Sequence, residues 1–418
     1  MTEPLEQIIR YEGGRVLATL VRLVGSIDVA EDAVQDALVD ALRRWPVDGV
    51  PSNPGAWLTT AARNRALDVL RREAKRTAKE SDARLLDDMT LTIGEKTSDS
   101  MVRDDLLRLL FTCCHPALAV ESRLALALRT LCSMNTGEVA AVFLVPESTM
   151  GQRISRAKKK ISSARIPYRI PADHELPDRL PAVLQVVYAV ITAGHHAPEG
   201  RLDERADLAA EGVRLARLLT ELMPDEPECT GLLALALATH ARRDTRLDRT
   251  GQVVLLAEQD RSQWHHNEIE AAAAMLDHVV RQHRPGRYQI EAAIACLHGL
   301  APDFEATDWQ QIASLYATLE RLVPTAVVRV NRAVAVAQAN DAAAGLAVLD
   351  RRDEIDMATA ESWHLYWSTR GELLVRAGDQ PAALSAFDRA LSCVSNDSDR
   401  EFLLKRRNTV AGKGRDTA

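Results

Sequence analysis

Apolar residues Ile8, Ile9, Val16, Leu17, Leu20 and Val24 recur at helical intervals, which predicts an amphipathic helix over residues 4–24. Gly25-Ser26 interrupts it. Asp28 is the expected cap of a second helix over 29–45, with Glu31 and Asp32 in the first turn, where the helix dipole favours acids. The stretch PVDGVPSNPG at 46–55 is rich in Pro and Gly and reads as a loop. A third helix is expected over 56–79, apolar on one side and basic towards its C-terminal end. Residues 80–100 are polar and weakly periodic, as in a linker. A compact helical unit follows over 101–165. Pro167, Pro171, Pro177 and Pro181 punctuate a connector, and from 181 to 407 helix follows helix. Breaks are expected at Gly194, Pro224, Pro285, Pro302, Pro324 and Gly378. No segment has a convincing strand pattern, although Val327–Val336 is rich in β-branched residues. The fold class expected is all-α.

Within the last third, Trp367, Gly371, Leu374, Gly378, Ala383, Phe387 and Ala390 fall on the spacing of a tetratricopeptide unit. Small residues at 371 and 383 let two antiparallel helices approach, with Phe387 filling the gap. Ala333, Val336 and Leu349, with Asn340 in the turn, echo the pattern loosely. A generic helical bundle is the alternative.

Two segments carry candidate chemistry. Asn135 and Glu138 form a capping box before a short helix, Leu144-Val145-Pro146 turns the chain, and ESTMGQRISRAKKKI follows as a second helix. Its apolar stripe is Met150, Ile154, Ala157 and Ile161. Ser148, Thr149, Gln152, Arg153, Arg156 and Lys158 supply residue types that bond base edges and phosphates in a major groove. Residues 141–170 hold seven basic side chains against the single acid Glu147. Basic residues also suit a helix C-terminus, so the charge by itself fits an ordinary solvated helix too. The second segment is NPGAWLTTAARNRALDVLRREAKR. Trp57 could anchor the loop, Asn64 could bind backbone or base, and Arg63, Arg71, Arg72 and Lys75 offer phosphate contacts. A loop ahead of a basic helix can hold an unstacked base, although alone such a helix is bland.

The net charge of −7 argues against nucleic acid until it is divided along the chain. Residues 1–170 carry 25 Lys+Arg against 22 Asp+Glu, and the remainder 27 against 37, giving a front at +3 and a back at −10. Aromatics at 4% favour helices packed through small side chains over β-sandwiches. Six cysteines without a C-x-x-C pair suggest a reducing cytoplasm, and the N-terminus lacks the apolar core of a signal peptide. No apolar run reaches the ~18 residues that a membrane span needs. Cys113, Cys114, His115 and Cys132 could suggest zinc, but adjacent cysteines suit one tetrahedral site poorly, and buried small side chains are the preferred reading. His195-His196 and His265-His266 lack ligand spacing with a carboxylate. No enzyme signature is found, so no catalytic residue, metal or cofactor is expected.

AEDAVQDAL, AWLTTAARNRALDVLRR, a linker and a helix-turn-helix ending in QRISRAKKKI resemble, in order, the two promoter-binding regions of an extracytoplasmic-function RNA polymerase sigma factor. FTCCHPAL, LLTELMPDEPECTGLLALAL and LLAEQDRSQW are similar to the subgroup with a long helical, tetratricopeptide-containing C-terminal extension. The resemblance implies two small helical sigma domains, the second with the helix-turn-helix, then a large helical tetratricopeptide-like domain. The boundaries expected are region 2 at 1–80, a linker at 81–100, region 4 at 101–166, a connector at 167–180 and the extension at 181–410. It further implies that Asp32, Gln35 and Asp36 bind the β′ clamp of core polymerase. The loop 47–55, with Val50, Ser52 and Asn53, would take a flipped base of the −10 element, braced by Trp57 and Asn64. Arg63, Arg71 and Arg72 would hold backbone, and Ser148, Thr149, Gln152, Arg153, Arg156 and Lys158 would read or grip the −35 duplex. Core polymerase, through β′ clamp and β flap, and promoter DNA are the implied partners, with a regulatory protein or an intramolecular contact for the extension. The chain departs from the subgroup at TAGHH, residues 192–196, and Glu73 interrupts the basic helix.

Two rivals differ in class. A helix-turn-helix regulator or scaffold that does not bind polymerase would have no need of the first 80 residues. An enzyme housed in the extension would need an enclosed pocket with convergent charged groups.

Overall fold

The structure is a computed structural model that describes residues 3–77, 99–143, 145–195, 203–246, 248, 254–351, 361–394 and 397–413. Most of the expected linker at 81–100, Leu144 of the expected turn and His196 lie outside the described residues. Among the described residues every regular element is helical. The chain forms two compact units, residues 1–196 with 207–218, and residues 219–418 with 197–206.

The first unit begins with α1 (Glu3–Val24), α2 (Ile27–Asp48) and α3 (Pro54–Thr77), each packed on the other two. Their shared core is aliphatic and rich in alanine: Val16, Leu17, Leu20, Val24, Ala30, Ala33, Val34, Ala37, Ala41, Leu58, Ala62, Ala66 and Leu67 are buried. Small side chains set the helices close, as the composition suggested. Two boundaries differ from the sequence reading. Ser26, not Asp28, caps α2 by accepting from the Val29 N–H. α2 also continues through Pro46 to Asp48, because Gly49, at φ +86°, returns its N–H to the Trp45 carbonyl and closes the last turn.

α4 (Asp99–Cys113), α5 (Val120–Thr130), α6 (Thr136–Val142) and α7 (Glu147–Ser163) complete the helix-turn-helix body. α1 packs on α4, and its Gly14 lies against the Leu131 backbone and Gly13 against the Ser133 side chain. A Cβ on Gly13 would stand 2.7 Å from Ser133 Oγ. α8 (Leu176–His195) then packs on α4 and α5 and buries Val183, Leu184, Val186, Val187, Val190 and Ile191. α9 (Asp203–Leu222) crosses it with Gly212 against Ile191. Pro181 does not break α8, contrary to the expected punctuation, whereas α8 ends at His195, one residue past the break expected at Gly194. Pro181 sits in the early turns of the helix, where its missing N–H forfeits one bond, and tertiary packing outweighs that loss.

The second unit opens with α10 (Pro227–His240), α11 (His266–Val280) and α12 (Arg287–Leu300). Gly231 of α10 lies against the backbone of Gln289 on α12. The Glu228 carboxylate accepts from the Tyr288 and Gln289 N–H groups at 3.1 and 3.3 Å, capping α12 from another helix. α13 (Trp309–Leu322), α14 (Ala326–Ala339), α15 (Ala342–Leu349), α16 (His364–Ala377), α17 (Gln380–Cys393) and α18 (Asp397–Lys413) follow.

The cores of this unit succeed one another along the chain. Ile290, Ile294, Ile312, Leu319, Val328 and Ala335 form one, and Val330, Ala333, Ala337, Val348, Leu349, Tyr366 and Leu373 the next. Ala383, Phe387, Ala390, Val394, Leu403 and Val410 form the third. Helices that contact mainly their neighbours are the mark of a repeat architecture. The expected approach of Gly371 and Phe387 is present, with a Gly371 Cβ position 3.0 Å from the Phe387 ring. Gly378 takes the left-handed φ of +84° and ends α16. The β-branched Val327–Val336 segment is helical within α14: Thr325 caps it through the Val328 N–H, and Val328, Val330 and Ala333 point into the cores.

Candidate nucleic-acid and polymerase interface

Asp32, Gln35 and Asp36 lie together on the exposed side of α2, opposite buried Ala30, Ala33, Val34 and Ala37. One turn on, Asp40 is 3.2 Å from Arg65 of α3 and ties the two helices. Val50, Ser52 and Asn53 are exposed in the α2–α3 connection. That connection is shorter than the expected 46–55, since residues 46–48 extend α2 and α3 starts at Pro54. Asn53 has a structural task that the sequence reading missed: its Oδ1 accepts from the Ala56 N–H at 3.0 Å and caps α3. The asparagine just before Pro54-Gly55 was the available signal. Trp57 is half-buried and meets the buried Trp45 edge-on, ring centroids 5.4 Å apart, so it holds the base of the loop. Asn64, Arg71 and Arg72 are exposed along α3, Arg63 is half-buried, and Arg71 lies 3.7 Å from Asp68.

The helix-turn-helix forms as its capping box predicts. The Asn135 N–H donates to Glu138 at 2.6 Å, and the Glu138 N–H donates to Asn135 Oδ1 at 2.9 Å. Met150, Ile154, Ala157 and Ile161 of α7 are buried. Ser148, Thr149, Gln152 and Arg156 are exposed, and Gly151, Gln152, Ser155 and Arg156 line a shallow hollow of about 410 Å³. Arg153 is half-buried with its guanidinium 5.4 Å from the centre of the Phe143 ring, a cation–π contact that fixes its stem.

Lys158 stands apart from the other five. Its Nζ is 3.1 Å from Asp28 and closer still to Glu31, both on α2. Burial pulls its pKa down, but the Glu31 and Asp28 carboxylates outweigh burial and hold the ammonium above its ordinary value. Arg129 of α5 reaches the same glutamate at 4.0 Å. The recognition helix is thus pinned to the helix that presents Asp32 and Asp36. Two more ties run between the halves of this unit. Arg22 of α1 is 2.9 Å from Asp105 of α4, which is fully buried and also paired with Arg108. The Tyr168 hydroxyl reaches the carbonyls of Ala18 at 2.7 Å and Asp105 at 2.9 Å, and burial raises its pKa. Apart from Arg108 with Asp105, three residues apart, none of these partners is marked by local sequence, because they are 63 to 150 residues apart.

The cysteine group offers no open thiolate. Cys113 and Cys114 are fully buried, and burial pushes the Cys113 thiol up to about 12. His265 pairs with Asp244 at 2.7 Å. Among the described residues no helix is long and apolar enough to cross a membrane.

Comparison with known proteins adds three family matches. Residues 8–76 match sigma-70 region 2, residues 108–161 match sigma-70 region 4, and residues 179–280 match a family of unknown function, DUF6596. An uncharacterized protein of Rhizobium meliloti (strain 1021) is 41% identical over 391 residues, covering 93% of this chain and 92% of its own. The probable ECF RNA polymerase sigma factor SigI of Mycobacterium tuberculosis is 26% identical over 179 residues, 42% of this chain and 61% of that protein. No solved structure matches the chain. With region 2 and region 4 folded in order and a helical domain behind them, the chain belongs to the extracytoplasmic-function sigma factors that carry a C-terminal extension.

Proposed function

We propose that the chain directs core RNA polymerase to specific promoters, with residues 1–77 engaging the polymerase and the −10 strand and α7 engaging the −35 duplex. The observation that carries this reading is the exposed set on each body: Asp32, Gln35 and Asp36 on α2, and Ser148, Thr149, Gln152 and Arg156 on α7. An acidic helix face suits the β′ clamp. Val50, Ser52 and Asn53 above the Trp45–Trp57 pair suit an unstacked base, with Arg63, Asn64, Arg71 and Arg72 beside it for backbone. Region 4 also meets the β flap. The protein acts in the cytoplasm, and the extension serves regulation or partner contact and not catalysis.

Run-off transcription with purified core enzyme tests this directly. The double variant Asp32→Arg, Asp36→Arg is expected to lower transcript yield at least about tenfold through like-charge contact with the clamp site, with folding unchanged at these exposed positions. Full yield from the variant, or no transcript from the parent chain on any template of its own genome, would overturn the reading.

The packing of the first unit bears on how this function proceeds. Elements near −10 and −35 are about 25 base pairs apart, roughly 85 Å of duplex. A compact unit of about 200 residues has a radius of gyration of about 17 Å. The Lys158–Glu31, Arg22–Asp105 and Tyr168 ties must therefore release for both elements to be held at once. Glu31→Lys, which faces Lys158 and Arg129 with like charge, is expected to raise the radius of gyration in X-ray scattering, whereas Asp40→Lys leaves it unchanged. Equal scattering from Glu31→Lys and the parent would show that these charges do not hold the unit closed.

A further inference from the structure

In the second unit, basic side chains converge between the end of α10 and the last turn of α12. Trp264 is buried, its indole N–H bonded to Thr245 Oγ1 at 2.9 Å, so the ring is fixed. Two guanidiniums flank that ring: Arg261 at 5.0 Å and Arg242 at 5.7 Å from its centre. Arg246 adds a third charge close enough to act on Arg242. His298 completes the group, with its Nδ1 buried and without a hydrogen-bond partner.

These groups are unequal in how well they are satisfied. Arg261 donates to the His298 and Ala301 carbonyls at 2.7 and 2.9 Å and to Thr307 at 3.3 Å, and Asp303 and Glu305 lie near enough to favour its charge. It is a fixed wall. Next to the cluster, Arg243 and His240 share the Glu268 carboxylate at 3.0 and 2.9 Å, and His265 has Asp244. Among the described residues Arg242 has no such acid. Among the described residues its guanidinium donates no hydrogen bond, and burial with the charges of Arg246 and Arg261 lowers its pKa to about 10. The same surroundings, burial first and then Arg242 and Arg261, hold His298 down at about 4, so its ring is neutral near pH 7.

Holding a partly buried arginine beside two others is costly unless an anion completes the site. Elsewhere in this unit buried Arg329 is matched by the Glu320 carboxylate, and Arg376 and Arg400 by backbone carbonyls. Among the described residues Arg242 is matched by nothing, and it is half-exposed, so the cluster opens at that side chain. We propose that Arg242, Arg246, Arg261 and His298 form a receptor for a small phosphate-bearing molecule. A guanidinium fork matches two oxygens of a phosphate, and a dianion offsets clustered charge better than a single carboxylate does. The Nδ1 of His298 can donate to a further oxygen, and the anion's charge favours protonating that ring. Occupancy ties the end of α10, the segment carrying Trp264 and the end of α12 into one body. That gives the extension a means of sensing a metabolite. The site lies outside the promoter-binding unit, and binding is read without polymerase or DNA, so its failure leaves the sigma reading untouched.

The test is calorimetric unfolding of the full chain with inorganic phosphate, a phosphate monoester such as glycerol 3-phosphate, or acetate, each against chloride at matched ionic strength. Phosphate or the monoester is expected to raise the transition of the C-terminal unit by about 5–10 °C at about a hundredfold excess over Kd. Stronger action by the monoester points to a phosphorylated metabolite, equal action to free phosphate, and acetate has little effect. Arg242→Gln should abolish the rise while its transition in chloride stays at or above that of the parent, because it removes an unmatched charge. Arg243→Gln, beside the site but paired with Glu268, should keep the rise. No rise with either phosphate, an equal rise in Arg242→Gln, or a marked loss of stability of Arg242→Gln in chloride would overturn the proposal, the last by making the arginine structural.

Discussion

Glu320→Gln is expected to destabilise the C-terminal unit by about 3–5 kcal/mol while leaving the unfolding of the sigma unit in place. Glu320 is 8% exposed and receives Arg329 Nε at 2.7 Å, with Arg332 on its other oxygen. Arg329 is 1% exposed and also donates to the Arg351 carbonyl at 3.2 Å. Taking away the carboxylate charge deprives a guanidinium buried between α13 and α14 of the Glu320 counter-charge. Removing one member of a buried pair is far worse than replacing the whole pair. The effect also has a pH signature. Burial alone would raise the Glu320 pKa, but the bonds from Arg329 and Arg332 prevail and hold it below its ordinary 4.5. A lowered folded pKa means the stabilisation is complete above the ordinary value and is lost as pH falls through the folded one. Unfolding scans of variant and parent should therefore differ at pH 7 and converge in acid. Equal stability at pH 7 would mean the pair is idle.

Truncation gives the second large effect. The sequence placed the edge of the extension at 181, yet α8, residues Leu176–His195, packs on α4 and α5 of the sigma unit. A chain ending at 180 loses six buried aliphatic residues between Val183 and Ile191, and the surfaces they cover become exposed. Each buried aliphatic side chain is worth about 1.5–3 kcal/mol, so the loss is on the order of 10 kcal/mol as an upper bound, comparable with the whole stability of a domain. We expect the fragment 1–180 to aggregate or to bind a hydrophobic dye, and a fragment ending at 222, which keeps α8 and α9, to be soluble and cooperative. A well-folded 1–180 fragment would return the boundary to where the prolines suggested.

The helix-turn-helix was legible because its signals are local. Asn135 and Glu138 satisfy each other three residues apart, and Met150, Ile154, Ala157 and Ile161 repeat at helical spacing whatever they pack against. The Gly371–Phe387 approach was legible for the same reason, one small and one large residue at fixed offsets within a hairpin. Boundaries failed where a competing local bond prevailed. Ser26 captured the Val29 N–H ahead of Asp28, and Asn53 started α3 before Ala56. Prolines at 46 and 181 were read as breaks, although each costs one backbone bond that packing of the rest of the helix offsets.

Among the proposed contact residues, Asp32, Gln35, Asp36, Ser148, Thr149, Gln152 and Arg156 are open to solvent as their positions on amphipathic helices implied. Lys158 is not open, and nothing near it in sequence says why. Its neighbours on α7 make it look like one more basic residue on a groove helix, and only the fold brings Glu31, 127 residues away, to its ammonium.

Periodicity, caps and turn residues determined by themselves that this chain is helical throughout its described length, that it carries a helix-turn-helix, and that small residues set its late hairpins. They act between residues a few positions apart, where the backbone fixes the distance. Tertiary structure alone decided which charges are buried and with whom: Lys158 with Glu31, Arg329 with Glu320, and Arg242 with two other arginines and, among the described residues, no acid. Electrostatic energy in a protein depends on separation and on exclusion of water, and for groups on different helices both quantities come into existence only when the helices pack.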